Sequence, residues 1–298
     1  MLNKKTLIAV GVVVLLAACG GDKDKVDGKE DLVEVPDTIK TTVVNVGGEL
    51  FSVPSPIQTA LLIQKSGVTY DKTILHTSNK VNTYSTDYLR ALNSGIYGGD
   101  LGYVSLYNLT QDAIRYLGAL KQLADKLGVS AAFDAGTMKR IEGNITNKDS
   151  MLVLVGIAYR SSDAFLKNNQ RNDVSSLILT GGWIESMHFS VAAYKAKGTN
   201  ELKWRIAEQK QALGSLIKIL SNYQGEEVKA LAIELNDLSK IYEGIQFKYN
   251  FVEPTHDSLK KVTYINSTTE VMVSEEQITQ IAAKIQEIRS KIVNSSNS

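Results

Sequence analysis

Apolar residues in the carboxy-terminal third of the chain recur in alternating steps of three and four. The two clearest series are Val228, Leu231, Leu235, Leu238, Tyr242, Ile245 and Tyr249, and Ile278, Ile281, Ile285, Ile288 and Ile292. Steps that average about 3.5 residues place a narrow apolar seam along one side of a helix, which suits packing against nearly antiparallel neighbours. Residues 206–223 follow the same pattern with one gap, so this part of the chain predicts packed helices.

Helix-end signals extend the helical interpretation toward the amino terminus. Ser55-Pro56 can open a helix, because serine caps the first turn and proline at the first position loses no hydrogen bond. Residues 101–127 predict one long helix that ends at Gly128, with Lys126 in its last turn. Similar patterns predict helices over residues 130–143, 149–169 and 173–197.

One segment near the carboxy terminus departs from the helical pattern. The β-branched runs 261–265 and 270–273 flank the polar residues 266–269, and this predicts a minor β-hairpin near residues 261–273. Ser274 and Gln277 then form a capping box for a last helix. Together the patterns predict an all-α fold, a multi-helix bundle of about eight helices with this hairpin, in a single helical domain over residues 36–298.

The amino terminus has the three parts of a secretory signal peptide over residues 1–18. Lys4 and Lys5 precede an apolar run that is too short to span a bilayer, and two alanines follow it. The sequence Leu16-Ala17-Ala18-Cys19 resembles the lipobox of bacterial lipoproteins. This resemblance implies cleavage before Cys19 and its modification with acyl chains such as palmitate, which would anchor the protein to a membrane. The alternative is an ordinary secretory signal followed by an unmodified cysteine.

The residues after the signal peptide predict a spacer between membrane and body. Residues 19–35 comprise the lipidated cysteine and a polar tether with little to bury, so we expect this stretch to be solvated and flexible. By resemblance, Gly20 in place of an aspartate after the cysteine favours the outer membrane over retention at the inner one. The sequence leaves open whether the body faces the periplasm or the cell surface.

Composition removes several classes of function. The chain has 33 basic and 32 acidic residues, and removal of residues 1–18 takes Lys4 and Lys5, which leaves 31 basic residues and a net charge of about −1. A near-neutral body argues against nucleic acid as a partner. Cys19 is the only cysteine, so its lipidation would leave no thiol for a disulfide, a thiolate metal site or a nucleophile.

Glu185-x-x-His188 lies on a predicted helix and resembles one half-site of the carboxylate-bridged di-iron bundles. Those sites require a second such pair on a facing helix and two more glutamates, which the predicted helices do not supply, so we predict neither a metal nor a cofactor. The same two residues have the chemistry of a general base and acid. They lack an adjoining nucleophile or orienting group in the pattern, and we assign no catalytic residues.

Two glycine-rich segments interrupt predicted helices. Residues 95–102 contain four glycines, residues 181–182 are both glycine, and neither segment matches a phosphate-binding loop. A glycine inside a helix costs about 1 kcal/mol relative to alanine and is tolerated where another backbone comes close. We therefore predict that these segments pack against each other, which would bring Asp100 and Glu185 together in a polar site within the bundle.

Tyrosines add to this candidate site. Tyr103 and Tyr107 lie one helical turn apart and share a face. With Asp100 they could line a groove for a sugar or a peptide; the alternative is that their rings fill the core while the hydroxyls reach water or a carbonyl. The candidate binding or structural polar site consists of five residues: Asp100, Tyr103, Tyr107, Glu185 and His188.

Four phrases of the body resemble a group of uncharacterised, exported, all-helical Bacteroidota-type lipoproteins. They are Ser55-Pro56-Ile57-Gln58-Thr59, Tyr97-Gly98-Gly99-Asp100-Leu101-Gly102-Tyr103, Leu127-Gly128-Val129 and Gly181-Gly182-Trp183-Ile184-Glu185. This resemblance implies an exported location and a helical fold but no reaction. We therefore expect a cell-envelope lipoprotein that acts as a binding or scaffolding module, with an envelope protein or a small ligand as partner. The alternative is an envelope hydrolase-like enzyme that uses Glu185, His188 or Asp100.

Overall fold

Helices dominate the part of the chain that the structure describes. The computed structural model describes residues 41–46, 49–54, 56–132 and 135–295, and these contain ten α-helices and three two-stranded antiparallel sheets. The predicted all-α fold with a minor β component is confirmed. The predicted signal peptide (1–18), Cys19 and the tether (19–35) lie outside the described residues and stay predictions. Within the described residues, none of the helices combines the length and the apolar content needed to cross a bilayer.

The helices and strands are numbered in chain order. The helices are α1 Pro56–Lys65, α2 Asp87–Leu106, α3 Thr110–Leu127, α4 Ala135–Gly143, α5 Lys148–Asn168, α6 Asn172–Lys197, α7 Asn200–Ala207, α8 Gln209–Leu220, α9 Glu226–Glu243 and α10 Glu275–Asn294. The strands are β1 Thr41–Val46, β2 Glu49–Pro54, β3 Gln246–Asn250, β4 Thr255–Asp257, β5 Val262–Tyr264 and β6 Thr268–Met272.

The helix predicted over residues 101–127 is two helices in the structure. α2 ends at Leu106 and α3 begins at Thr110. Between them Asn108 has a φ of +55°, a left-handed conformation that asparagine adopts more readily than most residues. The break contains neither glycine nor proline, and the apolar spacing continues across it. The sequence therefore does not indicate that a helix ends here. The predicted end at Gly128 is confirmed, since this glycine adopts a φ of +68° as a helix C-cap commonly does.

Two helices, α2 and α6, cross at the centre of the body and are buried along most of their length. The larger apolar cluster joins both of them to α8, α9 and α10, and a second cluster joins α2 to α3, α4 and α5. The apolar seams predicted for α9 and α10 point into the larger cluster. Its members from α10 are Ile278, Ile281, Ala282, Ile285, Ile288, Ile292 and Val293.

Two of the short sheets form one extended arm. β3 pairs with β6 and β4 pairs with β5, each antiparallel, and Lys261, with a φ of +54°, lies in the turn between β4 and β5. We call residues 246–272 the β-arm. Neither sheet of the β-arm has a third strand among the described residues.

The β-arm corrects the strand pairing that the sequence predicts near residues 261–273. β5 and β6 occupy the two predicted runs, but each pairs with an earlier strand and not with the other. The sequence does not indicate β3, because Ile245 and Tyr249 continue the apolar spacing of the α9 seam. In the structure α9 ends at Glu243. The predicted capping box of Ser274 and Gln277 is present at the start of α10.

Candidate functional site

The two glycine-rich segments meet where α2 crosses α6, as predicted. A Cβ atom on Gly95 would overlap the Ile178 carbonyl oxygen, and one on Gly181 would overlap the Leu92 carbonyl oxygen. Backbone atoms cannot move aside as a flexible side chain can, so only glycine fits at these two positions. Gly102, on the same helix, has open space around its Cβ position and is not required for the crossing.

An ion pair lies just beyond this crossing, between α6 and α10. Glu185 is fully buried and Arg289 is 7% exposed. The Arg289 guanidinium donates to both carboxylate oxygens of Glu185, from Nε at 2.6 Å and from Nη2 at 2.7 Å. This two-point geometry is the strong form of a carboxylate contact. The sequence pattern holds no signal for it, because Arg289 is 104 residues away in the chain and is one of several charged residues on α10.

Asp100, on α2, is fully buried beside this pair. Its Oδ1 accepts a 3.4 Å hydrogen bond from the His76 backbone N–H, whereas Oδ2 has no hydrogen-bond partner among the described residues. Burial raises the pKa of the Asp100 carboxyl well above its usual range, and the Glu185 carboxylate raises it further. We therefore expect Asp100 to carry a proton in the folded protein.

His76 completes the cluster from the segment before α2. Its Nε2 lies 2.5 Å from the Tyr84 hydroxyl, and its ring stacks on Tyr97 with the ring centroids 5.1 Å apart. Burial, assisted by the positive charges of Arg289 and Lys80, lowers the pKa of His76 to about 3. The imidazole is therefore neutral at physiological pH and serves as a hydrogen-bonding group.

Glu185 and His188, which have the chemistry of a general base and acid, contact different partners. Glu185 is engaged by Arg289, and His188 donates from Nε2 to the Ile74 carbonyl oxygen at 3.0 Å. Burial lowers the pKa of His188 against the opposing effect of Glu185. A second Glu-x-x-His spacing, Glu253 to His256, lies on the β-arm and not on a helix. Within the described residues no group of three or more histidine, cysteine, aspartate and glutamate side chains is arranged to hold a metal ion.

Tyr103 and Tyr107 anchor a loop and do not line a groove with Asp100. The Tyr107 hydroxyl donates to the Val68 carbonyl oxygen at 2.7 Å, and the Tyr103 hydroxyl accepts from the Asp71 N–H at 3.1 Å. The Tyr103 ring stacks on Phe189 at 4.7 Å between centroids. These contacts match the alternative in which the rings fill the core and the hydroxyls reach the backbone.

Five side chains form a buried cluster that hydrogen-bonds to the backbone of residues 74–77. They are Tyr97, Asp100, Tyr116, His188 and Arg289. The Ile74 carbonyl accepts from His188 and Arg289, and the His76 N–H donates to Asp100. The His76 and Thr77 carbonyls accept from Tyr116 and Tyr97 at 2.7 and 2.9 Å. A non-helical segment inside a bundle needs partners for its peptide groups, and this cluster supplies them. Its geometry therefore fits a structural role that ties residues 74–77 to α2, α3, α6 and α10.

The β-arm presents a different feature, a concentration of exposed apolar side chains. Of twelve large apolar residues that are exposed in the described chain, nine lie in the β-arm. They are Phe247, Tyr249, Phe251, Val252, Leu259, Val262, Tyr264, Ile265 and Met272. Because exposed apolar patches commonly mark interaction sites, this concentration makes the β-arm a candidate for one.

The aromatic residues of β3 form a row on one face. Phe247 and Tyr249 are two positions apart and lie opposite Val271 and Thr269 of β6, and Phe251 follows at the next odd position. Side chains two residues apart in a strand share a face. At the far end of the β-arm, Leu259 in the turn is 98% exposed. The sequence pattern does not reveal these exposed aromatic residues, because the position of Tyr249 also fits the apolar spacing of the α9 seam.

Comparisons with known proteins add no functional information. No protein-family model matches the chain, and neither the curated proteins nor the solved structures contain a significant match. A functional assignment therefore depends on the residues and the geometry described above.

Proposed function

We propose that the protein is a lipid-anchored cell-envelope binding protein that holds an extended segment of another protein against its β-arm. The observation that carries this proposal is the concentration of exposed apolar side chains on the β-arm. The four aromatic residues of this set are 43–67% exposed. At about 200 Å² for each buried aromatic side chain, covering them would bury about 400 Å². This is about half of the roughly 800 Å² that one partner contributes to a standard interface.

The occupant that suits this surface is an extended polypeptide. β3 and β6 each have an unpaired edge among the described residues, and such an edge can accept a further strand through main-chain hydrogen bonds. Phe247 and Tyr249 of β3 are two residues apart, which is also the spacing of side chains on one face of an added strand. On the other face Lys248 and Glu270 lie 4.0 Å apart, so their charges balance and apolar contact would dominate recognition.

The envelope location comes from the sequence alone. The lipobox at Cys19 supports an acyl anchor in the outer membrane, with residues 19–35 as the tether.

The hydrolase-like alternative receives less support from the geometry. It requires Glu185, His188 or Asp100 to reach a substrate, and both carboxyl groups are fully buried. Glu185 is engaged by Arg289 and His188 by the Ile74 carbonyl. The buried cluster is accounted for by the peptide groups that it satisfies, and this favours the binding role.

Partner capture with matched variants tests the proposal. Tyr249 on the β-arm is 63% exposed and Ile233 on α9 is 62% exposed, so Ile233→Ser is a control for Tyr249→Ser. Lipidated proteins would be recovered from envelope extracts and the co-purified proteins quantified by mass spectrometry. We expect at least one protein that the wild type and Ile233→Ser retain and Tyr249→Ser loses, at equal melting temperatures. Identical sets from all three proteins would contradict the proposed use of the β-arm.

The anchor has a separate test. Cells fed labelled palmitate should incorporate the label into the wild-type protein and not into Cys19→Ser. An unmodified thiol at the start of the processed chain, seen by intact-mass measurement, would remove the lipid anchor from the proposal and leave the β-arm surface unaffected.

A further inference from the structure

A cavity of about 150 Å³ lies among α2, α3, α4, α5 and α6, and residues of both apolar clusters line it. Its wall is largely apolar, and it includes Leu101, Leu117, Leu120, Met138, Val155 and Ala158. Leu101 and Val155 are buried, whereas Leu117, Leu120, Met138 and Ala158 are half-buried. The cavity thus has a closed apolar inner end and an opening at the surface.

One wall of this cavity is set by a fixed tyrosine. The Tyr159 hydroxyl donates to the Gly95 carbonyl oxygen at 2.9 Å, and a Cβ atom on Gly98 would overlap that hydroxyl. Glycine at position 98 therefore lets Tyr159 lie across α2 with its ring on the cavity wall. The Ser94 hydroxyl is also engaged, as donor to the Arg90 carbonyl oxygen at 2.7 Å.

Because the Tyr159 and Ser94 hydroxyls are hydrogen-bonded within the protein, the cavity interior offers few hydrogen-bonding groups to water. Apolar cavities of about 150 Å³ stay dry and accept a benzene-sized molecule. A dense protein interior otherwise leaves few voids of that size, so an apolar occupant is the natural complement of this one. Its volume suits about six carbon atoms.

The opening carries a lysine without an ion-pair partner among the described residues. Lys121 is exposed at the cavity edge and forms no ion pair with any of them. Asp125, one turn further along α3, also lines the edge, and its carboxylate accepts a hydrogen bond from Ser130. An amphiphile with its chain in the cavity would therefore place an anionic head group near the Lys121 ammonium.

We propose that this cavity binds a medium-chain fatty acid, with about six carbons of the alkyl chain inside and the carboxylate at Lys121. This inference is independent of the β-arm, because none of the residues that line the cavity belongs to the β-arm. The ligand has an apolar chain and one negative charge, and each part is recognised by a separate feature of the site.

Titration of full-length mature protein tests the proposal. Cys19→Ser would be used throughout, so that no detergent competes for the cavity. Hexanoate, hexanol and acetate are the probes, followed by NMR chemical shifts and thermal stabilisation. We expect hexanoate to bind more tightly than hexanol, and acetate to give no saturable response. Absence of saturable binding by both six-carbon compounds would overturn the proposal.

Two variants separate the parts of the site. Ala158→Leu fills the cavity and should weaken both six-carbon ligands at least tenfold, whereas Ala232→Leu, at a half-buried alanine of α9 outside the cavity, should leave binding unchanged. Lys121→Gln should weaken hexanoate severalfold and leave hexanol unaffected. Unchanged binding in Ala158→Leu would place the ligand elsewhere, and unchanged hexanoate affinity in Lys121→Gln would refute the assigned head-group contact.

Xenon provides a measurement that needs no variant. The dissolved gas should shift methyl resonances of Leu101, Val155 and Met138 in a saturable way in the Cys19→Ser protein. If these methyl groups do not respond, there is no accessible cavity at this position and the proposal fails, whatever the folding of Ala158→Leu.

Discussion

Asp100 and Glu185 are neighbouring buried carboxyl groups with different partners. Glu185 pairs with Arg289 through two hydrogen bonds, whereas burial and the Glu185 charge raise the pKa of Asp100, so we expect Asp100 to be protonated in the fold. Replacing each acid by its amide should therefore give unequal results. Glu185→Gln removes a charge that the fold uses, and Asp100→Asn replaces a neutral group by another of the same shape.

The contacts of the two residues determine how much unfolding free energy each variant should lose. Removing one partner of a buried ion pair typically costs 3–5 kcal/mol, because the other charge is left buried and uncompensated. The lower end, about 3 kcal/mol, applies to Glu185→Gln, since glutamine keeps one acceptor oxygen and the Ile74 carbonyl still accepts from Arg289. For a domain of this size such a loss lowers the melting temperature by roughly 6–12 °C. Asp100→Asn should cost less than about 1 kcal/mol or increase stability.

Urea unfolding followed by far-ultraviolet circular dichroism measures both effects, and pH adds an independent check. The folded-state pKa of Asp100 lies above its unfolded value, so the folded wild type holds a proton that the unfolded chain releases. The contribution of Asp100 to wild-type stability therefore falls as pH rises from its unfolded toward its folded pKa, by up to about 1.4 kcal/mol per pH unit. Asp100→Asn lacks this slope, and its stability relative to wild type should increase as pH rises above about 4, the ordinary pKa of an aspartate.

Two results would refute this account of the cluster. One is a loss in Asp100→Asn at pH 7 as large as that in Glu185→Gln, which would mean that Asp100 is ionised in the fold. The other is a stability difference between Asp100→Asn and wild type that does not change with pH.

Three further outcomes follow from the same contacts. Gly95→Ala should destabilise the fold by about 1–3 kcal/mol through overlap at the helix crossing, whereas Gly102→Ala should gain up to about 1 kcal/mol of helix propensity; equal melting temperatures would contradict the crossing. His76 has a folded pKa of about 3, below its unfolded value, so the contribution of His76 to wild-type stability declines as pH falls from 6.5. The stability cost of His76→Gln should therefore shrink by about 1.6 kcal/mol between pH 6.5 and 5, and a constant cost would count against a neutral His76. In a double-mutant cycle, Glu185→Gln combined with Arg289→Met should cost less than the two single changes added together; strict additivity would mean that the ion pair is not formed.

The helix crossing could be predicted from sequence because glycine inside a helix has a specific physical meaning. Gly95 and Gly181 are unfavourable for helix formation, and close approach of another backbone compensates for that cost. The pairing of Asp100 with Glu185 followed from the crossing, since each lies about one turn beyond a glycine. Local spacing and one steric argument were sufficient for this part of the site.

Arg289 and the segment over residues 74–77 could not be predicted in the same way. The contact between Arg289 and Glu185 depends on how α10 docks against α6, and no local pattern specifies that docking. His76 sits in a loop without helical or strand periodicity, so its burial has no sequence signal. Tyr249 was misassigned because steps of three and four fit it into the α9 seam, although the strand alternation of β3 also fits.

Photo-crosslinking in intact cells tests most directly the claim that the β-arm is the functional surface. A photoreactive amino acid would replace Tyr249 in one strain and Ile233 in another, two side chains of nearly equal exposure. The account predicts a discrete crosslinked protein from position 249 that is absent from position 233. The same crosslinked products from both positions, or none from position 249, would contradict it.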